Sequence, residues 1–157
     1  NTCVSAVKAI KDLKLNYCTI HISSGLEALK AVKKVSGKTL IIGVSILTSL
    51  DNKGLKEIGY NKDVKKLVLH QAKLAAKANL DAIVCSPLEV RIVRKVFKKE
   101  IITPGIRLAG DKKGDQKRVM TPKQAFQNGA TSLVIGRSLT SFGNIKKNIQ
   151  KLIKELE

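Results

Sequence analysis

The sequence predicts a parallel α/β fold of about five strands, on three observations. Short apolar runs alternate with helical stretches along the whole chain, the pattern of successive strand-helix units. One run, 39–47 (TLIIGVSIL), is nearly continuous and suits a strand buried on both faces of a parallel sheet. Polar and glycine residues gather after the runs, where a parallel α/β unit places its binding loops. No low-complexity linker or fixed-period repeat interrupts the 157 residues, so a single domain over 1–157 is expected.

The elements follow in order. Val4, Val7, Ile10 and Leu13 recur at helical spacing, predicting a helix from Thr2 to about Asp12 with Asn1 or Thr2 as its cap. A strand over 15–22 ends in HISSG, and a helix over 26–35 is stopped by Gly37. The strand at 39–47 ends at Thr48-Ser49, and a polar connector reaches Asp63, which caps a helix to about Ala78. A short strand over 82–85 ends at Ser86, and a helix over 87–97 opens with Pro87 in its first turn. Strands at 101–102 and 133–135 flank a helix over 122–127, for which Thr121 is the cap and Pro122 the first residue. A final amphipathic helix, about 144–156, presents Ile145, Ile149, Leu152, Ile153 and Leu156 as its inner face.

Anion-binding chemistry is concentrated in 101–137. The apolar runs at 101–102 and 133–135 each stop at a glycine soon followed by arginine, delivering guanidinium groups to one end of the sheet. Lysine supplies 25 of the 30 basic residues, yet three of the five arginines (Arg107, Arg118, Arg137) fall in this block. That usage points to planar, bidentate donors for a phosphate, although arginines capping strand ends in solvent would leave the same pattern. Gly105 and Gly136 allow backbone N–H groups to approach an anion that a Cβ would hinder. Gln116 lies in a long polar loop, a candidate lid, and can donate and accept at once.

Together TPGIR (103–107), GDQKR (114–118), TP (121–122) and VIGR (134–137) resemble the C-terminal part of the orotidine 5′-phosphate decarboxylase family. VCS at 84–86, ILTS at 46–49 and IHISSG at 20–25 extend the resemblance over essentially the whole chain. It implies a (β/α)8 TIM barrel, here an incomplete one, since 157 residues fall short of about 250 and match roughly the last two-thirds of the usual family chain. It implies decarboxylation of orotidine 5′-monophosphate to uridine 5′-monophosphate, in pyrimidine biosynthesis, with no cofactor and no metal. Arg107, Gln116, Gly136 and Arg137 then hold the phosphate and Ser86 contacts the pyrimidine. Thr48 and Pro104 border the same cavity, and Thr2 reaches the ligand of a neighbouring subunit in a homodimer.

Each residue has a plainer role beside the implied one. Ser86 also suits the cap of the 87–97 helix, Thr2 the cap of the first helix, and Thr48 a strand-end cap. His21 reads as a packed core histidine. Lys112, Lys113 and Lys117 read as solvated loop lysines.

The family's catalytic lysine and aspartate array is absent: no D-x-K-x-x-D occurs in the sequence. The chain is therefore expected to be inactive alone, and to be a fragment, the partner of a separate N-terminal segment, or an oligomer that covers its open edges. An opening residue, Asn1, that is not methionine agrees with a processed or incomplete polypeptide.

Net charge of +18 attracts anions, but aromatics make up only 3% of residues. Stacking platforms for single-stranded nucleic acid are therefore missing, and only non-specific nucleic-acid binding at low salt is expected. Three widely spaced cysteines suggest a reduced cytoplasmic protein without disulfide or zinc site, and no long apolar run predicts a membrane span. A phosphosugar decarboxylase or aldolase and a non-enzymatic basic module remain as alternatives.

Overall fold

A computed structural model describes residues 1–108, 118–141 and 143–157 of the chain. Its strands form one parallel sheet whose spatial order is the order of the sequence: β1 (Tyr17–His21), β2 (Leu40–Val44), β3 (Ala82–Val84), β4 (Glu100–Thr103) and β5 (Ser132–Leu133). The helices are α1 (Thr2–Ala9), α2 (Leu26–Val35), α3 (Asn52–Glu57), α4 (Val64–Lys77), α5 (Val90–Val96), α6 (Pro122–Gln127), α7 (Arg137–Thr140) and α8 (Ile145–Leu156). At least one helix stands between each strand and the next, as a parallel neighbour requires.

The registers Ile20↔Gly43↔Ile83↔Ile101 lay one row of side chains across four strands. That row faces the helices and packs in a core with Ile22, Leu29, Val32, Val68, Ala72, Val90, Val93 and Phe97. Gly43 is required there by close approach: a Cβ would stand 2.8 Å from Leu80 Cδ1 and 2.9 Å from Ile22 Cγ1. The alternate row, Thr19↔Ile42↔Ala82↔Glu100, lies on the other face of the sheet. On that face Tyr17 and Val134 are about half exposed, at 49% and 52%.

Caps set several boundaries where the sequence placed them. Asp63 accepts from Lys66 N at 2.8 Å, a bond that holds its carboxyl below the usual range. Thr121 and Gln124 form a reciprocal capping box at the start of α6. Asn144 accepts from the amides of Lys146 and Lys147 to open α8.

Five expectations need correction. The first helix ends at Ala9 and gives way to a tighter turn over Lys11–Leu13, closed by Lys14 at φ +51°. The connector to Asp63 contains a helix, α3, because Asp51 accepts from Gly54 N at 2.9 Å and caps it. The helix expected from Pro87 begins at Val90: the Ser86 hydroxyl accepts from Leu88 N at 3.2 Å, a bond that closes a turn instead of capping a helix. The last strand is confined to Ser132–Leu133, and Gly136 starts α7 almost at once. The apolar stripe of α8 is not an inner face, since Ile145, Ile149 and Ile153 are 52%, 42% and 51% exposed. α8 packs against α6 and α7, and its stripe lies away from the core cluster.

Gly43→Ala should destabilise the fold by about 1–3 kcal/mol, because Ile22 and Leu80 are themselves fully buried and have little room to retreat. Urea unfolding followed by circular dichroism measures this, and an unchanged midpoint would contradict the packing described.

Candidate functional site

All the strands point the same way, so the segments that follow them meet at one rim. After β2, Ser45 donates to Val84 O from its amide (3.1 Å) and its hydroxyl (2.7 Å), holding the rim beyond the last ladder pair. After β3, Cys85 N donates to Ile102 O at 3.2 Å. After β4 the chain passes Pro104 and turns at Gly105, whose φ of +77° disfavours any side chain. Met120 N then donates to Gly105 O (3.2 Å) and Arg107 N to Met120 O (3.1 Å), clasping Gly105 to Arg107 against the segment that leads into α6. After β5, Val134 N donates to Thr103 O at 3.0 Å, and Gly136-Arg137 follow directly.

Arg107 and Arg137 therefore stand just beyond the carboxyl ends of adjacent strands, at one end of the sheet. Arg107 is partly buried and donates from Nη1 to Ile106 O at 2.9 Å, while Arg137 is exposed. Among the described residues, a Cβ added at Gly136 would meet nothing within 4 Å. Pro104 is half-buried beside them and Thr48 is buried at the end of the β2 segment. Thr2 is exposed in the first turn of α1, and Asn1, the cap position, makes no side-chain capping bond. Gln116, like Lys112, Lys113 and Lys117, lies outside the described residues.

Arg118 departs from the sequence reading. It is a planar, multidentate donor, but its partners are protein atoms. Nη1 donates to Glu89 Oε2 at 2.8 Å and Nη2 to the carbonyls of Leu47 (2.7 Å) and Ile46 (3.3 Å), while Nε has no partner among the described residues. Arg118 and Glu89 are 8% and 7% exposed at their side chains, so this guanidinium is spent inside the protein. Glu89 itself was not singled out by sequence, because one glutamate at a helix start has no local signature.

Burial pushes the Glu89 carboxyl up, and the Arg118 charge and the Ser86 hydroxyl pull it back in part. Ser86 is fully buried, so a pyrimidine reaches it only if side chains at the rim give way. Cys85 beside it is also buried, which drives its thiol up to about 12, with the Glu89 charge acting in the same direction. His21 is exposed rather than packed, because it closes an edge strand that, among the described residues, has a partner on one side only. Among the described residues no three His, Cys, Asp or Glu side chains cluster to hold a metal, and no helix is long and apolar enough to cross a membrane.

Fold and rim define a class: a parallel α/β protein of the TIM-barrel type that offers arginines from two neighbouring strand ends. The chain belongs to the orotidine 5′-phosphate decarboxylase / HUMPS family, whose model matches residues 1–152. The orotidine 5′-phosphate decarboxylase of Coxiella burnetii is 41% identical over 164 aligned residues, which take in 99% of this chain and 70% of that protein. The enzyme of the same name from Wolbachia pipientis is 43% identical over 160, again 99% and 70%. The crystal structure of orotidine 5′-phosphate decarboxylase from Lactobacillus acidophilus superposes with a TM-score of 0.81 at 28% identity, covering 100% of this chain and 70% of that one.

The thiol environments predict a labelling order. At pH 8 the native protein should take up iodoacetamide at Cys3 and Cys18, which are partly exposed, and spare Cys85 until it is unfolded. Peptide mass mapping reads the result, and early modification of Cys85 would show that the rim beside Ser86 is open.

Proposed function

We propose that this chain carries the phosphate- and pyrimidine-binding part of an orotidine 5′-phosphate decarboxylase, acting in the conversion of orotidine 5′-monophosphate to uridine 5′-monophosphate. The observation that carries the reading is the placement of Arg107 and Gly136-Arg137 beyond adjacent, in-register strand ends, within a family whose curated members bear that enzyme's name. Arg107 and Arg137 grip the phosphate with the backbone at Gly136, and Gln116 joins them on the sequence motif alone. Ser86 meets the pyrimidine once the rim side chains that cover it give way, and Thr48 and Pro104 form the wall between the two ends of the ligand. Thr2, exposed in the first turn of α1, extends to the ligand of a second subunit in a homodimer.

Gripping a phosphate far from the reacting carbon contributes to catalysis when the binding energy is realised only as the site closes. The charged groups that act on the carboxylate are not among these residues, since the lysine and aspartate spacing is missing from the sequence. We further propose that additional parallel strands complete a barrel against this sheet. Among the described residues β1 and β5 each pair on one side only, and both Tyr17 on the open face and the α8 stripe are exposed, as surfaces awaiting cover would be. Three free cysteines suit a reducing compartment, and we place the protein in the cytoplasm.

Two measurements test this. Titration calorimetry should show uridine 5′-monophosphate binding to wild type and at least about tenfold weaker binding to Arg137→Ala, the loss expected for one charge-assisted phosphate contact. Equal affinities would remove the phosphate site. Residues 1–157 expressed alone should show no decarboxylation of orotidine 5′-monophosphate, monitored by ultraviolet absorbance; sustained turnover would place catalytic groups within these residues.

A further inference from the structure

The groups proposed to hold the nucleotide sit on three separate rim segments; one buried side chain, Arg118, bonds the supports of two of them, and the backbone two residues on holds the third. Arg118 Nη2 bonds the carbonyls of Ile46 and Leu47, the two residues before Thr48. Its Nη1 bonds Glu89, whose own amide donates to Ser86 O at 3.0 Å. Two residues on, Met120 clasps the backbone of Gly105 and Arg107. Arg118 thus links the segment of the base contact and the wall through its guanidinium, and the segment of one phosphate arginine through its own backbone.

The chemistry of the centre argues against a role in packing alone. A charged pair buried to this degree carries a desolvation penalty that apolar side chains of equal volume would avoid, so a site selected only for stability has no need of it. A guanidinium does what no apolar or lysine side chain can: it donates in fixed directions to a carboxylate and to two carbonyls on different loops at once.

We propose that Arg118 and Glu89 form a positioning clamp that sets the distance between the pyrimidine end and the phosphate end of the site. This rests on the nucleotide site proposed above. Neither residue touches the ligand. The clamp fixes Thr48 and Ser86 relative to Arg107, so that a ligand of one length, a pyrimidine nucleoside monophosphate, spans both ends. Without it each end survives but their spacing drifts. The signature is therefore a loss of selectivity for the whole nucleotide over its sugar phosphate, rather than a uniform loss of affinity.

The test compares binding of uridine 5′-monophosphate and ribose 5-phosphate by calorimetry in wild type, Arg118→Lys and the double variant Glu89→Leu/Arg118→Met. The double variant removes both charges together, so it avoids stranding one of them, and its melting temperature reports whether the fold is kept. The clamp predicts that the preference for uridine 5′-monophosphate falls at least tenfold in the double variant while ribose 5-phosphate binds nearly as before. Arg118→Lys, which restores the charge without the fork, should fail to restore the preference. A wild-type preference in either folded variant overturns the clamp, and should the double variant not fold, Arg118→Lys decides by the same ratio. Arg137→Ala, run alongside, separates the two ideas: it must weaken both ligands, and if it weakens neither, the nucleotide site and the clamp fall together.

Discussion

Two guanidinium groups from distant points in a chain can address one anion only if the chain brings them to the same side of the same layer. Parallel pairing does this here. β4 and β5 run side by side in the same direction, so the residues beyond Thr103 and beyond Leu133 emerge together. An antiparallel pairing would have sent one arginine to the opposite end of the sheet. The rest of the architecture serves that constraint: helices cover one face, the sheet keeps its sequential order, and every segment after a strand is available to the same rim.

Packing and site are linked through small steps in the backbone. Gly43 lets Ile22 and Leu80 close over β2, which seats the β2 segment so that Ser45 can bond Val84 O from both its amide and its hydroxyl. The next residues offer carbonyls to Arg118, and the turn at Ser86 offers Glu89. The core therefore does more than stabilise. It delivers the rim segments in positions from which hydrogen bonds can fix them.

Much of this was legible in the sequence, and the reasons it was or was not are specific. Strand-helix alternation and the caps at Asp63 and Thr121 could be read because each is local, a side chain bonding an amide three residues on. The glycine and arginine pairs beyond two strands could be read because a strand end and its direction are written in consecutive residues. Arg118, counted in the sequence only among the arginines of that block, has an inward role that is not legible for the opposite reason: its partners lie 29 and more positions away, and no local pattern distinguishes an arginine turned inward from one turned toward a phosphate. The same holds for α8, whose spacing is that of a buried helix; whether a stripe is covered depends on what stands opposite, which periodicity does not record. Ser86 fell between these cases, since its hydroxyl does make a local bond, but to a turn instead of a helix.

The most direct measurement of the central claim is a crystal structure of the protein with uridine 5′-monophosphate. The account predicts phosphate density beyond β4 and β5, with guanidinium nitrogens of Arg107 and Arg137 both within about 3 Å of its oxygens. A phosphate bound elsewhere, or held by only one of the two arginines with the other turned away, would contradict it.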